Sequence, residues 1–187
     1  MKRLIIVGGV SILLVSAAIL PNLAKVTGRT QKDTTTTSDD TSHIVVAQNQ
    51  STSGRLAAAA DDGTPQGFTR DKWLDAAGEV SVSPVQSGNY TVTLKASNLV
   101  PNGLYTFWWV NKKLVGMDMG PASGTPSNEF RADNAGNATA TITVPANNNY
   151  QILAAAYHAD NKTHGQMPGE MGKVTFTHLM GNFPKPN

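Results

Sequence analysis

The chain has 187 residues, no cysteine and a formal net charge of +2 at pH 7. The absence of cysteine excludes disulfides, thiolate metal sites and a cysteine nucleophile. No basic patch interleaved with aromatic residues is present, which argues against nucleic acid as a partner. The length leaves room for one globular unit of about 120 residues after an N-terminal third that does not resemble a packed domain.

The N-terminus has the pattern of an export segment. Lys2 and Arg3 precede the seventeen uncharged residues from Leu4 to Leu20. A positive start followed by such a run predicts a signal peptide, and the length of the run is also close to that of a membrane-spanning helix. Residues 1–26 are therefore interpreted as a signal peptide or as an N-terminal membrane anchor. Both interpretations predict an extracytoplasmic protein that is secreted, periplasmic or held at the plasma membrane.

Residues 27–66 differ in composition from the rest of the chain. They are rich in Thr, Ser, Asp, Gln, Gly and Ala, and include the runs Thr34–Thr37 and Ala57–Ala60. A segment of this kind buries too little apolar surface to offset the entropy lost on ordering. The composition predicts a disordered tether, to which Ile44–Ala47 could add a short strand.

A short helix is predicted between Phe68 and Gly78. Thr69 suits the N-cap position, Trp73 and Leu74 would anchor the helix in the core, and Gly78 would end it.

From Glu79 onward the hydrophobic period is two, which is typical of strands with one buried face. The predicted strands are Glu79–Ser83, Tyr90–Lys95, Leu104–Val110, Glu129–Ala132, Ala138–Val144, Tyr150–His158 and Lys173–Leu179. Leu104–Val110 is apolar on both sides, as expected of a central strand. Residues 67–187 are therefore predicted to form an all-β domain, a Greek-key β-sandwich of about seven strands, immunoglobulin-like or cupredoxin-like.

A long connection near the C-terminus carries residues with metal-ligand character. His158, His164, Met167 and Met171 lie in or beside the segment of about 14 residues between the last two predicted strands, and Asp160 lies in the same segment. Imidazole and thioether are the copper ligands open to a protein without thiols, and thioether favours Cu(I). One hypothesis is therefore an extracytoplasmic copper-binding protein. The alternative is structural: His158 ends a strand, His164 braces the loop through a backbone hydrogen bond, and the methionines fill gaps.

Aromatic residues on two predicted strands suggest a binding surface. If Tyr105, Phe107 and Trp109 face the core, alternation places Trp108 on an outer face, and the same argument applies to Tyr157. Exposed aromatic rings stack on sugars or enter protein interfaces. These residues predict a glycan or a protein as partner, unless another segment covers them.

Motifs of catalysis are absent from the sequence. It contains no G-x-S-x-G elbow, no H-E-x-x-H, no P-loop and no G-x-G-x-x-G. We therefore predict a non-enzymatic binding or interaction module, with copper as the one cofactor considered and with the membrane as a further partner if the N-terminal segment is retained.

Three stretches carry a resemblance to known proteins. They are Asn98–Val110, Phe130–Ala138 and His158–Gly165, the last followed by Met167-Pro168-Gly169-Glu170. Together these stretches resemble a loosely defined group of exported, mostly uncharacterised prokaryotic β-sandwich proteins of immunoglobulin-like type. The resemblance covers about Glu79 to Leu179 and implies export and fold, without an activity or a site to carry over.

Overall fold

The computed structural model describes residues 52–187. The predicted N-terminal export segment, most of the predicted tether and the possible strand at Ile44–Ala47 lie outside the described residues. Within the described part, no helix is long and apolar enough to cross a membrane.

The described residues form nine strands and one short helix, and they confirm the all-β class. The elements are β1 (Ser53–Ala58), α1 (Arg70–Leu74), β2 (Ala77–Val82), β3 (Asn89–Ser97), β4 (Leu104–Lys112), β5 (Met117–Pro121), β6 (Glu129–Arg131), β7 (Ala138–Pro145), β8 (Ile152–His158) and β9 (Thr175–Asn182). Each strand predicted from alternation is present, with shifted ends, and β1 and β5 are additional.

All the strands belong to one antiparallel sheet in the order β5-β4-β8-β9-β1-β2-β3-β7, with β6 also paired to β4. Tyr105 and Phe107 of β4 share one buried cluster with Val92 of β3 and Ile142 of β7, although these strands lie far apart in the order. The sheet therefore curls around a common core. The finer division into two sandwich layers stays a prediction.

Strand β1 corrects the predicted domain boundary. It pairs with β2 on one side and β9 on the other, and its Leu56 is only 2% exposed. Small residues allow this central position, because a Cβ atom on Gly54 would lie 3.2 Å from Cγ2 of Val80. The folded domain thus begins before residue 67, and the predicted tether is wrong for Ser53–Ala58.

Helix α1 forms with the predicted cap. The hydroxyl oxygen of Thr69 accepts a hydrogen bond from the backbone N–H of Lys72 at 3.3 Å, which satisfies one of the free donors at a helix start. Trp73 is 1% exposed, and its indole N–H donates to the carbonyl of Ala59 at 2.7 Å. The helix is held mainly by this one buried ring.

The end of the helix differs from the prediction at two residues. Leu74 is 39% exposed, so it does not anchor the helix. Gly78 lies within β2 rather than at the helix end, and a Cβ atom there would come within 2.8 Å of the Leu94 side chain. Gly78 therefore permits close packing of the sheet.

Candidate metal centre

His158 is the last residue of β8, is 1% exposed and lies between two threonine hydroxyls. Thr106 Oγ1 on β4 is 2.7 Å from His158 Nε2, and Thr175 Oγ1 on β9 is 3.3 Å from His158 Nδ1. Three neighbouring strands therefore fix this imidazole.

The donors around His158 determine its tautomer. The indole N–H of Trp108 donates to Thr106 Oγ1 at 2.7 Å, which leaves the Thr106 hydroxyl proton free to be donated to His158 Nε2 at 2.7 Å. On the other side, the Thr175 hydroxyl donates to the Pro168 carbonyl, which leaves its oxygen to accept from Nδ1–H. His158 is therefore a neutral imidazole protonated at Nδ1.

Electrostatics favour the same neutral form. Burial lowers the pKa of His158 below its ordinary value, and the nearby His164 lowers it further. The carboxylates of Asp160 and Glu129 oppose this shift but do not cancel it.

Asp160 and His164 approach His158 from the loop. His164 Nε2 lies 3.1 Å from Asp160 Oδ2, and the two side chains are 30% and 27% exposed. The rings of His158 and His164 have centroids 5.8 Å apart. One potential ligand atom from each of the three residues lies within 4.8 Å of the other two. The group thus combines one buried nitrogen with two ligands at the solvent boundary.

The loop that carries Asp160 and His164 is shaped by local turns. The backbone N–H of Lys162 donates to Asp160 Oδ1 at 3.2 Å, and Asn161 lies at a positive φ of 56°. Gly169, at φ 93°, lies under the His164 ring, where a Cβ atom would be 2.7 Å from Cδ2 of that ring. A glycine at this position therefore lets His164 lie close to Asp160.

The methionines of the predicted copper set are placed differently from the histidines. Met167 is 65% exposed and Met171 is 36% exposed, so neither thioether is buried beside His158. His164 pairs with Asp160 instead of bonding the backbone as the bracing alternative predicts. The donors brought together are two imidazoles and a carboxylate, which suit Zn(II) or Cu(II) better than Cu(I).

Trp108 lies on the predicted side of the sheet but is not exposed. Its exposed fraction is 2%, and it packs with Ala154 and Ala156 under the partly buried Met119 and Met180. The predicted exposure of this ring is wrong because the outer face of β4 and β8 is itself covered.

The long loop between β8 and β9 makes two further hydrogen bonds. The side-chain amide of Gln166 donates to the Thr125 hydroxyl at 3.3 Å, and Pro168 binds Thr175 as described above. The loop is therefore joined to the connection between β5 and β6 at the first point and to β9 at the second.

Tyr157 also departs from its predicted placement. It pairs directly with Tyr105 in the β4–β8 register, and directly paired residues lie on one face of a sheet. Its ring centroid is 5.4 Å from that of Tyr105 and 6.0 Å from that of Trp73. Tyr157 is thus a half-buried residue of the inner face, and the predicted outer position is wrong.

A second buried histidine, His178, lies apart from the metal-ligand group. Its ring stacks on Trp73 with centroids 3.5 Å apart. Its Nε2–H donates to the Trp73 carbonyl at 3.0 Å, and its Nδ1 accepts from the Tyr105 hydroxyl at 2.8 Å. Tyr105 in turn accepts from the Val100 N–H at 2.9 Å. Burial lowers the pKa of His178 from 6.5 to about 4.

No protein-family model, curated protein or solved structure matches this chain.

Proposed function

We propose that this chain is an extracytoplasmic, non-enzymatic protein whose β-domain binds Zn(II) or Cu(II) through His158, Asp160 and His164. The observation that carries the proposal is the approach of one ligand atom from each residue to within 4.8 Å of the others. Bonds of about 2.0 to 2.2 Å to a tetrahedral ion place ligand atoms about 3.4 Å apart. Rotation of the half-exposed Asp160 and His164 side chains can supply the remaining closure.

One of the two ring nitrogens of His158, Nδ1, is the expected metal ligand. Its contact to Thr106 is short, at 2.7 Å, whereas its contact to Thr175 is 3.3 Å. We therefore expect the ion to bind at Nδ1 and to replace the weaker contact. The proton then resides on Nε2 and is donated to Thr106 Oγ1, which gives the ligand the outer hydrogen bond that metal-bound imidazoles commonly have.

The location and the non-enzymatic class are supported by the sequence. Lys2, Arg3 and the uncharged run that follows have the export pattern, and the sequence resembles exported proteins. The absence of catalytic motifs favours a binding protein. A glycan partner stacked on Trp108 is not favoured, because that ring is 2% exposed.

Metal titration of the full chain tests the proposal. We expect stoichiometric binding of Zn(II) or Cu(II) in calorimetry, weakened at least about tenfold by His164→Ala and by Asp160→Asn, since each removes one ligand. Met167→Leu is the matched control on the same loop and should leave Zn(II) and Cu(II) binding unchanged.

Two outcomes would overturn the proposal. Absence of binding, or binding indifferent to His164→Ala, would exclude this centre. If the chain binds Cu(I) but neither Zn(II) nor Cu(II), and Met167→Leu loses the Cu(I) binding, the result would support the thioether copper site instead.

Nitrogen NMR provides a second readout. His158 should show the Nδ1–H tautomer without metal and the Nε2–H tautomer when Zn(II) is bound. An unchanged tautomer at saturation would show that His158 is not a ligand.

A further inference from the structure

The turn between β4 and β5 exposes apolar side chains. Leu114 is 103% exposed, Val115 is 88% exposed and Met117 is 63% exposed. Single exposed apolar residues are ordinary, but contiguous ones mark interaction sites. These three residues form what we call the hairpin tip.

The conformation of the hairpin does not require these residues. Lys112 pairs with Met117, the Lys113 N–H donates to the Gly116 carbonyl at 3.2 Å, and Gly116 supplies the positive φ of 76°. A turn whose positive φ falls on the glycine after its two central residues accepts most residue types at its centre. The turn therefore does not require leucine and valine at its centre. Their exposure leaves both side chains without packing in the domain, which points to an external contact.

The end of the domain that holds the hairpin tip is positively charged. Lys112 and Lys113 flank the tip, and Lys185 is held at the same end by its bond to the Asn148 carbonyl at 3.2 Å. Asp118, which pairs with Lys113, is the one acidic side chain that the strand ends place there among residues 52–187. Residues 52–187 as a whole carry equal numbers of acidic and basic side chains. The excess of lysine is therefore local.

We propose that the hairpin tip inserts into the surface of an anionic lipid bilayer. A protruding turn cannot enclose a partner, but it can enter the soft interface between headgroups and acyl chains. Leu114, Val115 and Met117 would lie at that interface, while Lys112 and Lys113 remain at the level of the phosphates. The charge of this end fits anionic lipid better than a neutral surface. Three side chains give weak, reversible binding, which another attachment to the same membrane would strengthen.

Docking in this way orients the domain. The metal-ligand group lies at the opposite end of β4, because His158 pairs with Leu104 while the tip follows Lys112. At about 3.3 Å per residue, the two are about 25 Å apart. The candidate metal centre would face away from the bilayer, and the two proposals stand independently.

The absence of native cysteine permits a site-specific test in the full chain. Leu114→Cys, labelled with an environment-sensitive fluorophore, is mixed with vesicles of phosphatidylcholine and phosphatidylglycerol or of phosphatidylcholine alone. Asn134→Cys is the matched control, since Asn134 is exposed in the turn beside Asn102 at the opposite end of β4. Any binding through the N-terminal segment is common to both variants.

We expect a blue shift and at least a twofold rise in emission for the Leu114→Cys label with anionic vesicles, and little change for the Asn134→Cys label. Lipids brominated on the upper acyl chain should quench only the first label. Leu114→Asp in a labelled Val115→Cys chain should remove the response, and both positions are exposed enough to tolerate substitution.

Three results would overturn the proposal. Equal responses of the two labels would indicate general adsorption, and a response that survives Leu114→Asp would exclude insertion of the tip. A Leu114→Cys label that ignores vesicles but responds to protein concentration would assign the tip to contact between copies of the chain.

Discussion

Two histidines of the described domain, His158 and His178, are buried to the same extent, each 1% exposed, but have different surroundings. His178 lies between Trp73 and Tyr105, and the backbone and a core hydroxyl hold both of its nitrogens. His158 is held by threonine hydroxyls and adjoins the half-exposed loop that carries His164. Burial alone therefore does not distinguish a structural histidine from a candidate ligand. The distinction lies in whether neighbouring groups can move to admit an ion.

Acid should lower the stability of the fold through His178, and this is the largest effect that we expect. The pKa of His178 is about 4 in the folded protein and 6.5 in its ordinary state, so the unfolded chain binds more protons between these values. Stability from this group is complete above pH 6.5 and is lost as the pH falls to about 4, by about 3 kcal/mol. The measurement is urea unfolding across this range, with His178→Leu as the variant whose stability should fall less steeply. Parallel curves for the two proteins would show that His178 is not the group responsible.

Removing the Thr106 hydroxyl should lower stability through the surroundings of His158, by less than acid does through His178. Thr106→Val leaves the Trp108 N–H and His158 Nε2 without their shared partner, and we expect the free energy of unfolding to fall by about 2 kcal/mol. Thr93→Val is the control, because its hydroxyl bonds Thr141 on an exposed face and should cost less than about 0.5 kcal/mol. Similar losses in the two variants, measured by denaturant unfolding, would contradict the assigned chain of hydrogen bonds.

A substitution at Gly169 should change only the loop that carries His164. Gly169→Ala forces the His164 ring away from Asp160, since the added Cβ would lie 2.7 Å from it, whereas Gly165→Ala meets no atom within 4 Å. Both glycines have positive φ, so each variant should lose about 1 kcal/mol of stability. Only Gly169→Ala should also weaken metal binding, by about tenfold or 1.4 kcal/mol. Equal metal affinities in calorimetry would show that His164 does not contribute.

Strand positions could be predicted wherever one face alternates with the other. Ala138–Pro145 has the cleanest alternation and appears as β7. Ser53–Ala58 was missed because Gly, Ala and a single Leu give no period of two, and its burial comes from strands on both sides. The side of the sheet on which Trp108 lies was predictable from parity, but its burial was not, because it depends on side chains of other strands, such as Met119 on β5 and Met180 on β9.

The candidate site was predictable only in part. His158, Asp160 and His164 lie within residues 158–164, so their closeness in sequence predicted a group of metal ligands. Thr106 is 52 residues from His158 and Thr175 is 17 residues away, and a threonine on a strand gives no signal of a buried contact. The tautomer of His158 therefore required the three-dimensional pairing of the strands.

The position of β9 also bears on how the domain can assemble. It is the last strand in sequence among residues 52–187, yet it lies between β8 and β1 and joins the two halves of the sheet. During synthesis, which begins at the N-terminus, β1, β2, β3 and β7 can pair early. The sheet cannot close until residues 175–182 have also been synthesised. Until then β1 and β8 each present an unpaired edge, a known starting point for aggregation. Completion of the sheet is thus tied to the synthesis of β9, and long-range closure of this kind is intrinsically slow.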